Sequence, residues 1–129
     1  MEPTGLAPDN SNLTLPDYRG GSLVNLMSSI TAALGGNSPY APLAALSPDS
    51  LAAARHIVLL VVDGLGFDYL LAHDGALRRH LQGKLTSVFP STTASAIPTF
   101  LTGLAPQQHG LTGWHMYFRE IGAIAAPLP

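Results

Sequence analysis

His56-Ile57-Val58-Leu59-Leu60-Val61-Val62-Asp63-Gly64-Leu65-Gly66 is the stretch on which the reading of the fold turns. Its apolar run is unbroken and rich in β-branched residues. Continuous rather than alternating apolarity describes a strand buried on both faces, as in parallel α/β sheets. The run ends abruptly in a carboxylate, followed by two glycines that permit a tight turn. In open α/β sheets ligands gather beyond the carboxyl ends of strands, which is where Asp63 falls. Asp is also a favoured helix cap, so a purely structural role for Asp63 stands beside the ligand role.

Outward from this run, the periodicity alternates between helix and strand. Leu23, Leu26, Met27, Ile30 and Leu34 recur at helical spacing, with Ser22 as N-cap and Gly35-Gly36 as stop. A Pro-containing loop covers 37–46, and Ser47-Pro48-Asp49 opens a short helix reaching about Arg55. After the apolar run, residues 65–81 carry a weaker Leu stripe broken by Gly75. Residues 85–89 read as a second strand, 99–104 as a helix ending at Gly103, and 105–115 as a loop. Residues 117–129 carry a further strand or helix. This βαβα order sets the class as α/β with a mostly parallel sheet. Two regions are expected: an arm over residues 1–21, with Leu13 and Leu15 as anchors, and a domain part over 22–129.

Composition narrows the function classes. The chain has 129 residues, 47% of them hydrophobic and 11% charged, so a buried core is expected rather than disorder. A net charge of -2 and the absence of a long Lys/Arg cluster argue against a nucleic-acid partner. With no cysteine, disulfides and thiolate metal sites are excluded. The N-terminal residues lack a basic region followed by an apolar one, and the longest apolar run is too short to span a bilayer. A cytoplasmic protein with no membrane partner is the expectation.

A second segment, Phe89-Pro90-Ser91-Thr92-Thr93, places hydroxyls just after the second expected strand. Pro98 restricts where the next helix begins, so the segment around Thr93 falls at or near a helix N-terminus. Free N–H groups and the helix dipole there favour a phosphoryl group. Solvated capping hydroxyls are the plain alternative. A carboxylate and an alcohol brought together can hold a divalent metal, one way to make an alcohol nucleophilic at neutral pH. Two other chemistries fail. A P-loop needs Gly-x-x-x-x-Gly-Lys-[Ser/Thr], whereas Gly83-Lys84 is followed by Leu85 and Arg78 lies five positions before Gly83. A dinucleotide fingerprint starting at Gly64-x-Gly66 meets Tyr69 in the third glycine's place.

Val62-Asp63-Gly64-Leu65-Gly66, Phe89-Pro90-Ser91-Thr92-Thr93, Phe100-Leu101-Thr102-Gly103-Leu104-Ala105-Pro106 and His109-Gly110, in that order, resemble the type I phosphodiesterase/nucleotide pyrophosphatase branch of the alkaline phosphatase superfamily. Trp114-His115-Met116-Tyr117-Phe118-Arg119-Glu120 is similar to bacterial members of that branch. The resemblance covers about half of the chain. It implies an alkaline-phosphatase-like three-layer α/β/α fold with a mostly parallel central sheet, here C-terminally incomplete. It implies metal-dependent hydrolysis of a small phosphoester, a phosphodiester or nucleotide pyrophosphate, with two divalent ions, commonly zinc. By the same resemblance Asp63 is the first metal ligand. Thr93 is the nucleophile, which also touches a metal and is transiently phosphorylated or nucleotidylated. Ser91 and Thr92 are the adjacent runners-up.

His115 is a candidate substrate contact near the mouth of the site. His56, His73 and His80 read as strand-start or surface residues, Asp68 and Asp74 as surface acids, and His109-Gly110 as mainly structural. Where nucleotide pyrophosphatases carry an Asn three residues after the nucleophile, this chain has Ala96. That departure bears on the substrate more than on the hydrolase class. Sister activities are a phosphomonoesterase, sulfatase or phosphonate hydrolase. The remaining metal ligands are expected outside this chain, so a non-catalytic fragment or binding module is the rival from another class.

Overall fold

A computed structural model describes residues 13–128. Their elements are helices α1 (Leu23–Ala33), α2 (Pro48–Ala52), α3 (Phe67–Ala72), α4 (Ala76–Arg79), α5 (Thr93–Thr102) and α6 (Pro106–His109), then strands β1 (Met116–Phe118) and β2 (Ala123–Ala125). Helix α1 starts at its expected cap. Asn25, three residues on, reaches back to accept from the Ser22 N–H at 3.0 Å and from its hydroxyl at 2.7 Å. Helix α2 has Ser47 as N-cap and Pro48 at its first position, as expected. Gly75 divides the Leu-rich stretch into α3 and α4.

The parallel sheet is the main correction. Among the described residues the one sheet is an antiparallel hairpin of β1 and β2, with Tyr117 opposite Ile124. Residues 57–62 are not a strand, and their backbone groups have no hydrogen-bond partner among the described residues. Val58 is 88% and Leu60 79% exposed. Residues 85–89 supply one parallel bridge, Thr86 to Ser22, instead of a strand. Continuous apolarity reports a tendency to be covered. A ladder also needs a neighbouring strand in register, and Thr86 is already taken by the chain entering α1: its N–H donates to Gly21 O (2.8 Å), and its carbonyl accepts from Leu23 N (3.1 Å).

Helix α5 begins six residues before the expected 99–104 helix, at Thr93, where the hydroxyl segment was expected to meet a helix N-terminus. Pro98 sits inside it, removing a single ladder donor, and is buried. Its end is as expected. Gly103 adopts φ 69°, a left-handed cap natural to glycine, and its N–H donates to Thr99 O at 2.8 Å. The expected loop 105–115 contains the single turn α6, started by Pro106.

The core is small and unusually polar. Val24, Val88 and Ala105 form its apolar centre, with Tyr18, Leu23, Tyr40 and Ala96 packed around them. The buried face of α1 is Val24, Asn25, Ser28 and Ser29 rather than the Leu stripe. These side chains bind the 37–46 loop. Asn25 Nδ2 donates to Tyr18 O (3.0 Å) and Ala41 O (2.9 Å), Ser28 Oγ to Tyr40 O (2.6 Å), and Ser29 Oγ to Leu46 O (2.7 Å). No buried side-chain N or O among the described residues lacks a partner, as a polar core requires. Leu13 and Leu15, the expected anchors, are exposed. Tyr18 holds that segment instead, its hydroxyl accepting from Phe89 N at 3.0 Å. Residues 1–12 of the expected 1–21 arm lie outside the described residues.

Candidate active site

Asp63 and Thr93 meet. Thr93 Oγ1 donates to Asp63 Oδ2 at 3.1 Å across thirty residues of sequence. The local backbone explains how each is presented. Gly64 adopts φ 78°, a left-handed conformation that turns the chain directly after the carboxylate at no steric cost. Gly66, not Asp63, caps α3. Thr92, not Thr93, is the N-cap of α5, so Thr93 is the first residue of the helix. Both side chains are therefore spared from capping.

The hydroxyls beside Thr93 have other partners. Thr92 Oγ1 and Ser95 Oγ lie 3.1 Å apart, and the Ser95 hydroxyl donates to Pro90 O. Ser95 is fully buried, whereas Ser91 is exposed. Of the hydroxyl run, Thr93 is the residue bonded to a carboxylate. The N–H groups of Thr93 and Ala94 have no acceptor among the described residues, and the positive end of the α5 dipole lies there.

A cleft of about 460 Å3 contains the pair. One wall is the 59–65 segment; the other is Leu23 and Leu26 of α1 with Ala96, Ile97 and Phe100 of α5. The Leu stripe of α1 thus faces the apolar run across a gap. Asp63 and Thr93 stand at a polar point of an otherwise apolar lining.

His115 lies exposed in the bend before β1 and is not among the residues lining this cleft. His73 stacks on Tyr69 with ring centroids 4.0 Å apart and is exposed. Asp74 pairs with Arg78 at 3.0 Å on the surface. No group of three or more His, Asp or Glu side chains able to hold a metal is present among the described residues.

A family model described as Type I phosphodiesterase / nucleotide pyrophosphatase matches residues 57–126. The chain belongs to this family. The match begins at the apolar run and covers Asp63, Thr93 and the β1–β2 hairpin. Membership makes the chain part of a phosphoester-hydrolase family, with small phosphoesters as the substrate class and an alkaline-phosphatase-like fold implied. Neither a curated protein nor a solved structure matches the chain.

The family's metal dependence can be set against the donors present. A carboxylate and a hydroxyl within hydrogen-bond distance are hard oxygen donors suited to one edge of a divalent ion's shell. They fit that part of a site and no more, since no His and no second carboxylate is among the residues lining the cleft.

The residue that sequence reasoning undervalued is His109. Its Nδ1 accepts from Leu111 N at 3.0 Å, and its Nε2 lies 3.2 Å from Thr99 Oγ1 on α5. Burial pushes its pKa below the usual 6.5, an effect partly opposed by the Ser95 carbonyl. The signal in the sequence was the His109-Gly110 pair among the family-like motifs, read there as mainly structural.

Proposed function

We propose that this chain carries the nucleophile and the first metal ligand of a phosphodiester or nucleotide pyrophosphate hydrolase. The observation that carries the reading is the Thr93–Asp63 hydrogen bond, formed at the N-terminus of a ten-residue helix inside the region matched by the family.

Thr93 Oγ1 attacks phosphorus in line with the leaving oxygen. A Thr Oγ–P bond forms, the P–O bond to the leaving group breaks, and water later cleaves the Thr ester. In the structure the Thr93 proton points to Asp63 Oδ2, which orients the hydroxyl and leaves Oγ1 lone pairs for attack. The unpaired N–H groups of Thr93 and Ala94 suit a phosphoryl oxygen. Asp63 and Thr93 would hold a divalent ion; when bound it lowers the hydroxyl's pKa and neutralises charge at phosphorus. Ala96 lines the same cleft and offers no side-chain donor to the phosphoryl group, so that contact falls to another group or the substrate is not a nucleotide.

The test is hydrolysis of a nitrophenyl phosphodiester by the full-length protein with zinc or manganese, comparing it with its Thr93→Ala and Asp63→Asn variants. We expect each variant to lose about 10³-fold or more in kcat, as removal of a nucleophile or its partner does elsewhere. Turnover unchanged in both would overturn the assignment.

A further inference from the structure

His109 anchors a chain of hydrogen bonds that ends at the turn carrying Thr93. Its ring has a defined tautomer. The Leu111 N–H donates to Nδ1, so Nδ1 carries a lone pair and Nε2 carries the proton in the neutral ring. That proton points toward Thr99 Oγ1 at 3.2 Å. Thr99 Oγ1 in turn donates to Ser95 O at 3.1 Å, one helical turn earlier. The Ser95 hydroxyl donates to Pro90 O and lies beside Thr92 Oγ1, closing the turn from which Thr93 starts α5. Thr99 and Ser95 are both fully buried. All four groups keep their donor and acceptor roles consistent along the path.

We propose that His109 is a positioning residue: its neutral, Nε2-protonated ring ties α6 to α5 and thereby fixes the turn that presents Thr93. The proposal rests on Thr93 being the nucleophile for its link to turnover, but the tie itself does not. Adding a proton at Nδ1 replaces an acceptor with a donor facing the Leu111 N–H, so the 109–111 turn must open. The elements packed around the ring supply no charge that would hold the cation. Helices α1 and α5 contain no charged side chain, and the titratable group bonded to α6 is Tyr40, which donates to Gln108 as a neutral phenol.

The test is nitrogen-15 NMR of the whole chain between about pH 5 and 8, across the histidine range. We expect a pyrrole-type Nε2 and a pyridine-type Nδ1 at the upper end, with titration below 6.5. The amide signals of Leu111, Thr99 and Thr93 should move along the same curve. His109→Gln, which keeps a donor toward Thr99, should retain the Thr93 amide position, whereas His109→Leu should shift it. The opposite tautomer, or a Thr93 amide that ignores His109 titration, overturns the proposal. With turnover established, His109→Leu should lower kcat by about 10²-fold, as small misplacements of reacting groups do, while leaving KM within about threefold. His109→Gln should restore most of kcat; a loss as large as that of His109→Leu counts against positioning. If the full-length protein turns over no phosphodiester, the functional reading fails while the NMR coupling still decides the tie.

Discussion

A single side chain, Asn25, ties the start of α1 to two other segments. It is fully buried, accepts twice from Ser22, and donates to two carbonyls on different segments. Replacing it with Ala strands the Tyr18 and Ala41 carbonyls and the Ser22 N–H together. We expect Asn25→Ala to cost about 1–3 kcal/mol in a denaturant titration, because the fully buried Ser22 N–H then carries its desolvation penalty, while the Tyr18 and Ala41 carbonyls lie nearer the surface. His109 sets a pH dependence at the same scale. Its pKa is depressed in the folded chain, so the unfolded chain takes up the proton first as pH falls. Stability from this group is therefore fully present above 6.5 and declines as pH drops toward the lower folded value. The melting temperature of the native protein should fall over that window, and the His109→Gln variant should show a flatter profile.

Helix α5 is the element on which site and scaffold meet. It carries Thr93 at its start, packs Ser95 and Thr99 inward, and stops at Gly103. A Cβ at Gly103 would meet Met27 Cβ at an ordinary 3.9 Å, so the cost of an added methyl group is in the backbone. With φ at 69°, Gly103→Ala should destabilise by about 1–2 kcal/mol, the penalty for a left-handed L-residue. A thermal melt compared with a neighbouring surface substitution, Leu101→Ala, would show it; equal effects would mean the turn relaxes. The start of α5 was harder to place than its end. The pattern over 99–104 suggested a helix that begins after Pro98, whereas the argument from Pro98 itself put a helix start near Thr93. Helix α5 starts at Thr93, since losing one donor does not stop a helix packed against α1.

At the scale of the molecule, the apolar run lies uncovered across a cleft from the Leu stripe of α1. Val58 and Leu60 are the most exposed of its residues. Val58→Lys and Leu60→Lys should therefore change unfolding free energy by no more than about 0.5 kcal/mol, as substitutions on open surface do. They should also reduce binding of a hydrophobic dye. A loss of several kcal/mol would show that the run is covered, as the parallel-sheet expectation has it.

The local devices were legible in the sequence because each is written within a few residues. Ser22 and Ser47 cap helices, Gly75 and Gly103 interrupt or end them, and Asp63 is followed by a glycine that turns the chain. Motif order also pointed to the family that the match over residues 57–126 shows. What the sequence could not determine was pairing between distant segments. Thr86 bridges Ser22 rather than the apolar run, Asn25 rather than Leu faces the core, and His109 reaches Thr99. Periodicity measures how strongly a segment needs cover, whereas the partner is chosen by which donors and acceptors meet in three dimensions. The approach of Thr93 to Asp63 belongs to the same class: each residue type suggested chemistry, and the tertiary structure alone put them 3.1 Å apart.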